Sequence, residues 1–295
     1  MGMGTYCRFF PCAVAVVGIM LAVCAAPGGT ELATPRFERG ARIVCRGEFF
    51  GHLQGLATAG NAIYWSFTRK IVKTDFGGTI LTQVKVPRHG GDPCWSDGKL
   101  YVPVCEGSFS RKLKPGEASK NFIHVFDAGL NFVARHHVPE LEYGVGGIAA
   151  HGGHFFVVGG RPQNLPGNTV YEYDKNFKLV RRHEVAFDSR SGIQTINYVG
   201  GRWYFGCYGI GKSTIETDEN FRVLRSVRLS TCVGMIPLAD GLVLVGRVAA
   251  GKSRHFLLSF LFFMRKKIVS LFMPLPSVTR CIGSLSSTPP TKRIV

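Results

Sequence analysis

His52 and His89 are two imidazoles 37 residues apart. Gln54 follows the first by two residues, and Asp92 follows the second by three. Gln194 lies about a hundred residues further on. Two imidazoles and a carboxylate are a donor set that can bind a divalent cation or move protons. The two amides add hydrogen-bond donors and acceptors that fix a ligand's orientation. No short motif ties these residues together. The chain has no Gly-x-Ser-x-Gly, no His-Glu-x-x-His and no phosphate loop. Gly209–Ser213 reads GIGKS but lacks the first glycine at the required spacing, and it falls between two strand patterns, so it reads as a loop. Whether the polar residues meet depends on the elements that carry them.

Those elements repeat. One hairpin pattern occurs five times: GLATAGNAIYWSF from Gly55, DPCWSDGKLYVPV from Asp92, GIAAHGGHFFVVG from Gly147, TINYVGGRWYFGC from Thr195 and MIPLADGLVLVGR from Met235. Each has a short strand, a turn such as Asp97-Gly98 or Gly200-Gly201, and a hydrophobic strand. Asp-Gly and Gly-Gly supply the positive φ angles of a tight hairpin. A second hairpin alternates with it, turning at Asp75, Asp127, Asp174 and Asp218. An aspartate opening a turn accepts backbone N–H bonds, so these four acids are structural and do not form a carboxylate site.

Together the two hairpins make a unit of strands A, B, C and D. Four antiparallel strands in ~40–50 residues is the size of a propeller blade. The sequence therefore predicts an all-β fold, a β-propeller of four-stranded antiparallel blades over residues 36–250. Arg42–Phe50 matches the segment that precedes later blades and reads as an orphan strand D. Paired with the last blade it would close the ring and remove a sheet edge. Five blades are expected, with six as the alternative, and the fifth blade's strand C must come from beyond Val248.

The register of the hairpins places His52, His89, Gly144, Gly192 and Cys232 in one ring at the entry to strand A. Gln54, Gly91, Gly146, Gln194 and Gly234 follow two residues on. Strand A lines a propeller's channel, and alternate residues share a face. The candidate binding residues are therefore His52, Gln54, His89, Asp92 and Gln194, set among glycines expected to leave room. If a metal binds, His52 and His89 are its candidate ligands; otherwise no cofactor is implied. His136 and His183 are expected on solvated outer strands. His124, His151 and His154 are expected to be structural. The D–A and B–C connections are long, as in Glu106–Lys120, and binding usually sits on such loops.

The repeats resemble those of the NHL, YVTN and quinoprotein-like propellers of secreted bacterial proteins, without the signature of WD40 repeats. The likeness covers about residues 40–248 and implies a fold, since such scaffolds host many activities. Gln54-Gly55-Leu56 also resembles the Gln-Gly-Leu entering the first blade of propeller-type glutaminyl cyclotransferases. Where that family has a glutamate between glycines, this chain has Gly144-Val145-Gly146-Gly147.

Composition bounds the function. The net charge is +17, but eight of the basic residues lie in the acid-free stretch 251–295, leaving +9 on residues 1–250. No basic strip interleaved with aromatics appears, so no nucleic-acid partner is expected. Arg8, the apolar run Ala13–Val23 and the small residues Ala25 and Ala26 form a secretory signal pattern, with cleavage expected after Ala25. A secreted or periplasmic location follows. Lipoprotein anchoring at Cys24 is the alternative, although Val23 stands where a small residue is wanted. The six later cysteines show no CxxC or zinc spacing and read as buried thiols. Residues 251–295 lose the repeat. They form a basic, hydrophobic tail of the kind a frame change in a coding sequence produces, and Arg265, Lys266 and Lys267 break the run before it can span a bilayer.

These features point to a monomeric secreted propeller that binds a small molecule, glycan or protein through the channel mouth and its long loops, with no assignable reaction. The alternative is a propeller hydrolase, lyase or cyclotransferase-like enzyme using the channel histidines.

Overall fold

A computed structural model describes residues 42–47, 49, 51–208, 214–238 and 242–248, together with the backbone of strands 256–263 and 272–273. The N-terminal segment expected to be a signal, with Cys24, the GIGKS loop and Cys281 lie outside the described residues.

Strand β1 (Arg42–Cys45) precedes the first full blade, which contains β2 (Leu53–Ala59), β3 (Ala62–Phe67), β4 (Lys70–Asp75) and β5 (Ile80–Lys85). In the second blade strand A is split into β6 (His89–Gly90) and β7 (Cys94–Ser96), followed by β8 (Lys99–Cys105), β9 (Asn121–Phe126) and β10 (Phe132–His137). The third comprises β11 (Val145–His151), β12 (His154–Gly159), β13 (Asn168–Tyr173) and β14 (Leu179–Val185). The fourth comprises β15 (Ile193–Val199), β16 (Arg202–Cys207), β17 (Thr214–Thr217) and β18 (Val223–Val227). The fifth contains β19 (Met235–Pro237), β20 (Leu242–Val248) and β21 (Phe256–Phe263). β22 (Phe272–Met273) adds an outer strand to the fourth sheet.

The fold is an all-β propeller of antiparallel sheets. Among the described residues there are five sheets, and the fifth has the order β1-β21-β20-β19. β1 thus supplies its outermost strand, with Arg42 opposite Ser259 and Cys45 opposite Phe256. The missing strand C is β21, paired with β20 on its other side. The ladder between the two ends of the ring covers the edge that β21 would otherwise expose.

The core lies between neighbouring blades. Ile43, Phe49, Trp65, Phe67, Ile236 and Leu244 join the fifth blade to the first. Tyr64, Val102, Val104 and Phe126 join the first to the second. Phe156, Val170, Trp203 and Phe205 join the third to the fourth. Alternating strand residues pack against both neighbouring blades, so large aromatics on strand B are almost fully buried, Trp65 and Trp203 among them.

The turn aspartates act as expected. Asp127 Oδ1 accepts the N–H of Gly129 and of Asn131, each at 2.8 Å. Asp174 accepts Asn176 and Lys178, and Asp218 accepts Asn220 and Arg222, at 2.8–2.9 Å. Asp75 accepts Thr79 N at 2.8 Å.

Candidate functional site

Asp92 sits where the strands converge on the axis. It is 2% exposed and lies in the break between β6 and β7. Its backbone N–H donates to Gly146 O at 2.8 Å, and its carbonyl accepts Ile148 N at 3.1 Å. This stitches the second blade to the third. Its side chain reaches two further blades. Oδ1 accepts Leu56 N at 3.0 Å, and the carboxyl also accepts the N–H of Ile196. Burial pushes this carboxyl well above the usual carboxylate range, against the pull of the Leu56 and Ile196 N–H groups.

The axial glycines do the opposite of what their spacing implies. A Cβ on Gly55 would lie 2.2 Å from Asp92 Cα, and one on Gly91 would lie 2.0 Å from Gly146 O. A Cβ on Gly234 would meet Leu56 N at 2.8 Å. These glycines let backbones touch across the axis. The room they free is filled by neighbouring strands, and no gap for a ligand remains beside them.

On the loop face above Asp92, the first two blades bring three of the expected residues together. Thr68 anchors them. It accepts His52 N at 2.9 Å, donates its own N–H to His52 O at 3.1 Å, and lies 3.5 Å from Gln54 Nε2. The His52 residue is exposed and Gln54 is buried. His89 is half-buried and stacks on Phe109, ring centroids 5.6 Å apart. Its pKa is lowered by burial and by the neighbouring His52. Its Nδ1 is buried without a hydrogen-bond partner from another residue, so what the ring exposes lies away from that nitrogen.

Gln194 comes from the fourth blade. Its Nε2 donates to Ser191 O at 3.2 Å. The same carbonyl receives Ser110 Oγ at 2.8 Å and Arg161 N at 3.3 Å. Ser110 N also donates to Tyr143 O at 2.7 Å. The Glu106–Lys120 loop thus leaves the second blade and is fastened to the third and fourth, carrying Phe109 onto His89. Sequence reasoning noted this loop's length and missed Thr68, Phe109 and Ser110. The one local signal was an aromatic in an otherwise polar loop.

Asp92 is not bonded to either histidine; its polar partners are backbone groups. Among the described residues, no three His, Cys, Asp or Glu side chains converge as metal ligands would. Below Asp92, toward the A–B turns, the axis opens into a cavity of about 200 Å³.

Two histidine expectations need correction. His183 is not solvated: its Nε2 lies 2.7 Å from Glu172 Oε2, and its ring packs 4.6 Å from that of Phe221. His154 Nδ1 bonds the other Glu172 oxygen at 2.5 Å. Burial pushes the Glu172 pKa up, but the bonds from His183 and His154 outweigh it and hold the carboxyl below its ordinary value. His136 stacks on Phe177, centroids 4.4 Å apart. Both outer-strand histidines lean inward because the adjacent blade offers an aromatic face. The five described cysteines are free thiols, four of them buried.

No family model matches the chain, and no curated protein matches it in sequence. Solved structures do match. A glutaminyl cyclase from Myxococcus xanthus aligns with a TM-score of 0.54 at 9% identity, covering 76% of this chain and 97% of that one. The GH43_1 enzyme from Xanthomonas citri, complexed with xylose, gives a TM-score of 0.54 at 12% identity, covering 80% and 93%. A protein of unknown function from Bacteroides caccae gives 0.47 at 11% identity, covering 80% and 97%. At such identities the likeness to the first two shows a propeller-type fold alone.

Proposed function

We propose that this chain is a secreted propeller that binds a small polar ligand on its loop face, at His52, Gln54, His89 and Gln194. The observation that carries this reading is the pairing of His89 with Phe109. A half-buried imidazole, its base form favoured, lies beside a second imidazole and beneath an aromatic that a long loop holds in place. Such a mouth offers a stacking surface next to hydrogen-bonding groups, the mix typical of ligand sites. Cleavage after Ala25 would deliver the chain to the periplasm or beyond, as a monomer.

The test is a thermal-shift screen of the mature chain with neutral saccharides and amino-acid amides. A compound that raises the melting temperature should lose its effect in His52→Ala and in His89→Ala. His52→Ala should cost no more than about 0.5 kcal/mol, because that residue is exposed, and His89→Ala on the order of 1 kcal/mol, because it also loses the stacking on Phe109. Ligand effects that persist in both variants would remove the site from this face.

The second reading is an enzyme. Its support is Gln54-Gly55-Leu56 at the mouth, taken with the fold shared with a glutaminyl cyclase. Cyclisation of an N-terminal glutaminyl peptide, with release of ammonia, that is lost in Gln54→Ala would favour it over simple binding.

A further inference from the structure

The loop-face reading takes Phe109 as part of a fixed wall, but the loop that carries it is built as one closed piece on a narrow neck. Its ends meet where Glu106 N donates to Lys120 O at 2.8 Å. Both sides of the neck are tied down: Arg88 Nη1 donates to Glu106 O, and His137 Nε2 lies against Ser119 O, each at 2.9 Å. Beyond the neck the loop folds on itself. Arg111 Nη2 donates to both carboxylate oxygens of Glu117 at 2.8 and 3.0 Å. Lys114 N donates to Glu117 Oε2 at 3.0 Å, and Glu117 N returns to Lys114 O at 2.9 Å. A compact loop whose ends lie together can swing as a unit. Gly107 stands at the neck, where a Cβ would touch only the Lys120 side chain, at 3.7 Å, so the chain has space to turn there.

One residue fastens this piece to the rest of the propeller. Among the described residues, the hydrogen bonds that leave 108–118 are the two made by Ser110, to Tyr143 O and to Ser191 O. Ser110 has φ +57°, a left-handed conformation that a residue with a Cβ keeps only where its surroundings hold it. Phe109, just before it, is pressed into the mouth. Its phenyl ring stacks on His89, and Gly144 makes way for it: a Cβ on Gly144 would lie 2.7 Å from Phe109 Cδ2. His89 and Gly144 hold equivalent entry positions in adjacent blades. The phenyl ring therefore fills a slot at the axis, where the loop-face reading puts its ligand.

We propose that Glu106–Lys120 is an autoinhibitory lid: Ser110 latches it, Phe109 fills the slot between His89 and Gly144 as a stand-in ligand, and a ligand bearing an uncharged aromatic ring displaces it. The proposal rests on the loop-face reading for the site that the lid covers. The contacts of Phe109 define what fits: a flat apolar ring against an imidazole and a glycine backbone, flanked by amides. Only molecules with the lid open can bind, so the apparent affinity of the natural chain is lowered by the open fraction.

The experiment is an NMR titration of the full chain with N-acetylphenylalaninamide, which repeats Phe109 with its flanking peptide groups, and with N-acetylglycinamide as the control without a ring. Phe109→Ala empties the slot. It should bind the aromatic amide with a Kd on the order of 1 mM, as expected for a ligand of this size, and about tenfold or more tighter than the natural chain does. The glycine compound should bind neither. Ser110→Ala keeps Phe109 but loses the bond to Ser191 O, and it should tighten binding about two- to tenfold, the worth of one hydrogen bond. Amide exchange at residue 110 should quicken by the same factor in that variant, while the Glu106 amide at the neck keeps its rate. No binding to Phe109→Ala, affinity equal to that of the natural chain, comparable binding of the glycine compound, or exchange unchanged in Ser110→Ala would each overturn the proposal. If Phe109→Ala does not fold, Ser110→Ala decides alone. A ligand whose effect needs His52 and His89 but is indifferent to both loop variants would overturn the lid and leave the loop-face reading standing.

Discussion

Asp92 performs a structural task with a group that is usually reserved for chemistry. Its carboxyl replaces one ladder partner for Leu56 and another for Ile196, two edge N–H groups that would otherwise be buried and unpaired. Asp92→Ala should cost on the order of 2–6 kcal/mol in denaturant unfolding, about 1–3 kcal/mol for each orphaned donor. Asp92→Asn keeps one acceptor and should cost about half as much. The pH dependence has a definite sign. A carboxyl raised in the folded state is protonated there before it is in the unfolded chain. Its contribution is full below the unfolded value near 4 and is lost as pH rises through the folded one. The melting temperature of the natural chain relative to Asp92→Asn should therefore increase from pH 8 to pH 5; a decrease would mean that the ionised form is the one the site holds. His124 has the opposite sign. Burial, aided by Arg135, lowers its pKa to about 4. Its stabilisation is complete above about 6.5 and falls away toward pH 4. His124→Leu should lose less melting temperature than the natural chain between pH 7 and pH 4.

At the scale of elements, the C–D turns combine an aspartate with a residue three positions on in the left-handed region. That residue is Gly78 in the first blade, at φ +80°, but Leu130, Phe177 and Phe221 in the next three, at φ +60° to +65°. Such a conformation is unusual for a bulky side chain. Here it is held because each of the three is buried, with Phe221 at 3% exposure stacked on Trp203. The aspartate reverses the chain and the apolar residue fastens the turn to its blade. Strand A shows the converse economy: glycine where backbones cross. Gly55→Ala places a Cβ against Asp92 Cα and should cost several kcal/mol, more than ordinary overpacking, because the obstacle is backbone. Gly107→Ala, whose Cβ would meet only the Lys120 side chain at 3.7 Å, should change stability by no more than about 0.5 kcal/mol. Comparable losses in the two variants would argue against tight axial packing.

For the whole molecule, closure is the decisive contact. β1 pairs only with β21, so the last sheet depends on a strand from the other end of the described chain. Ile43, Cys45 and Phe49 then complete the cluster shared by the fifth and first blades. Deleting 42–50 removes the ladder and the cluster together, whereas deleting 283–295 removes neither. The first deletion should lower the melting temperature far more, and equal values would refute closure by β1. Circular dichroism of residues 36–295 should be strand-dominated, since the described residues contain no helix.

Much of this architecture was legible in the sequence because it is local. A tight turn announces itself through Asp-Gly or Gly-Gly, a reversal through an aspartate and the N–H groups two and four residues on, and a blade through the return of both at a fixed interval. The orphan strand at Arg42–Phe50 could be assigned to the ring for the same reason, as an unmatched member of a repeat. The axis could not be read this way. Asp92 meets Leu56 across 36 residues and Ser110 meets Ser191 across 81, and neither spacing carries a local signal. Sequence placed His52, Gln54 and His89 near one another, since equivalent positions in adjacent blades must be neighbours. It could not show that the glycines between them close the channel, that Asp92 faces backbone, or that Phe109 reaches His89. Those outcomes depend on how closely five inner strands approach one another, and that approach is set by packing between blades, where backbone contact, burial and the need to pair every buried N–H act together.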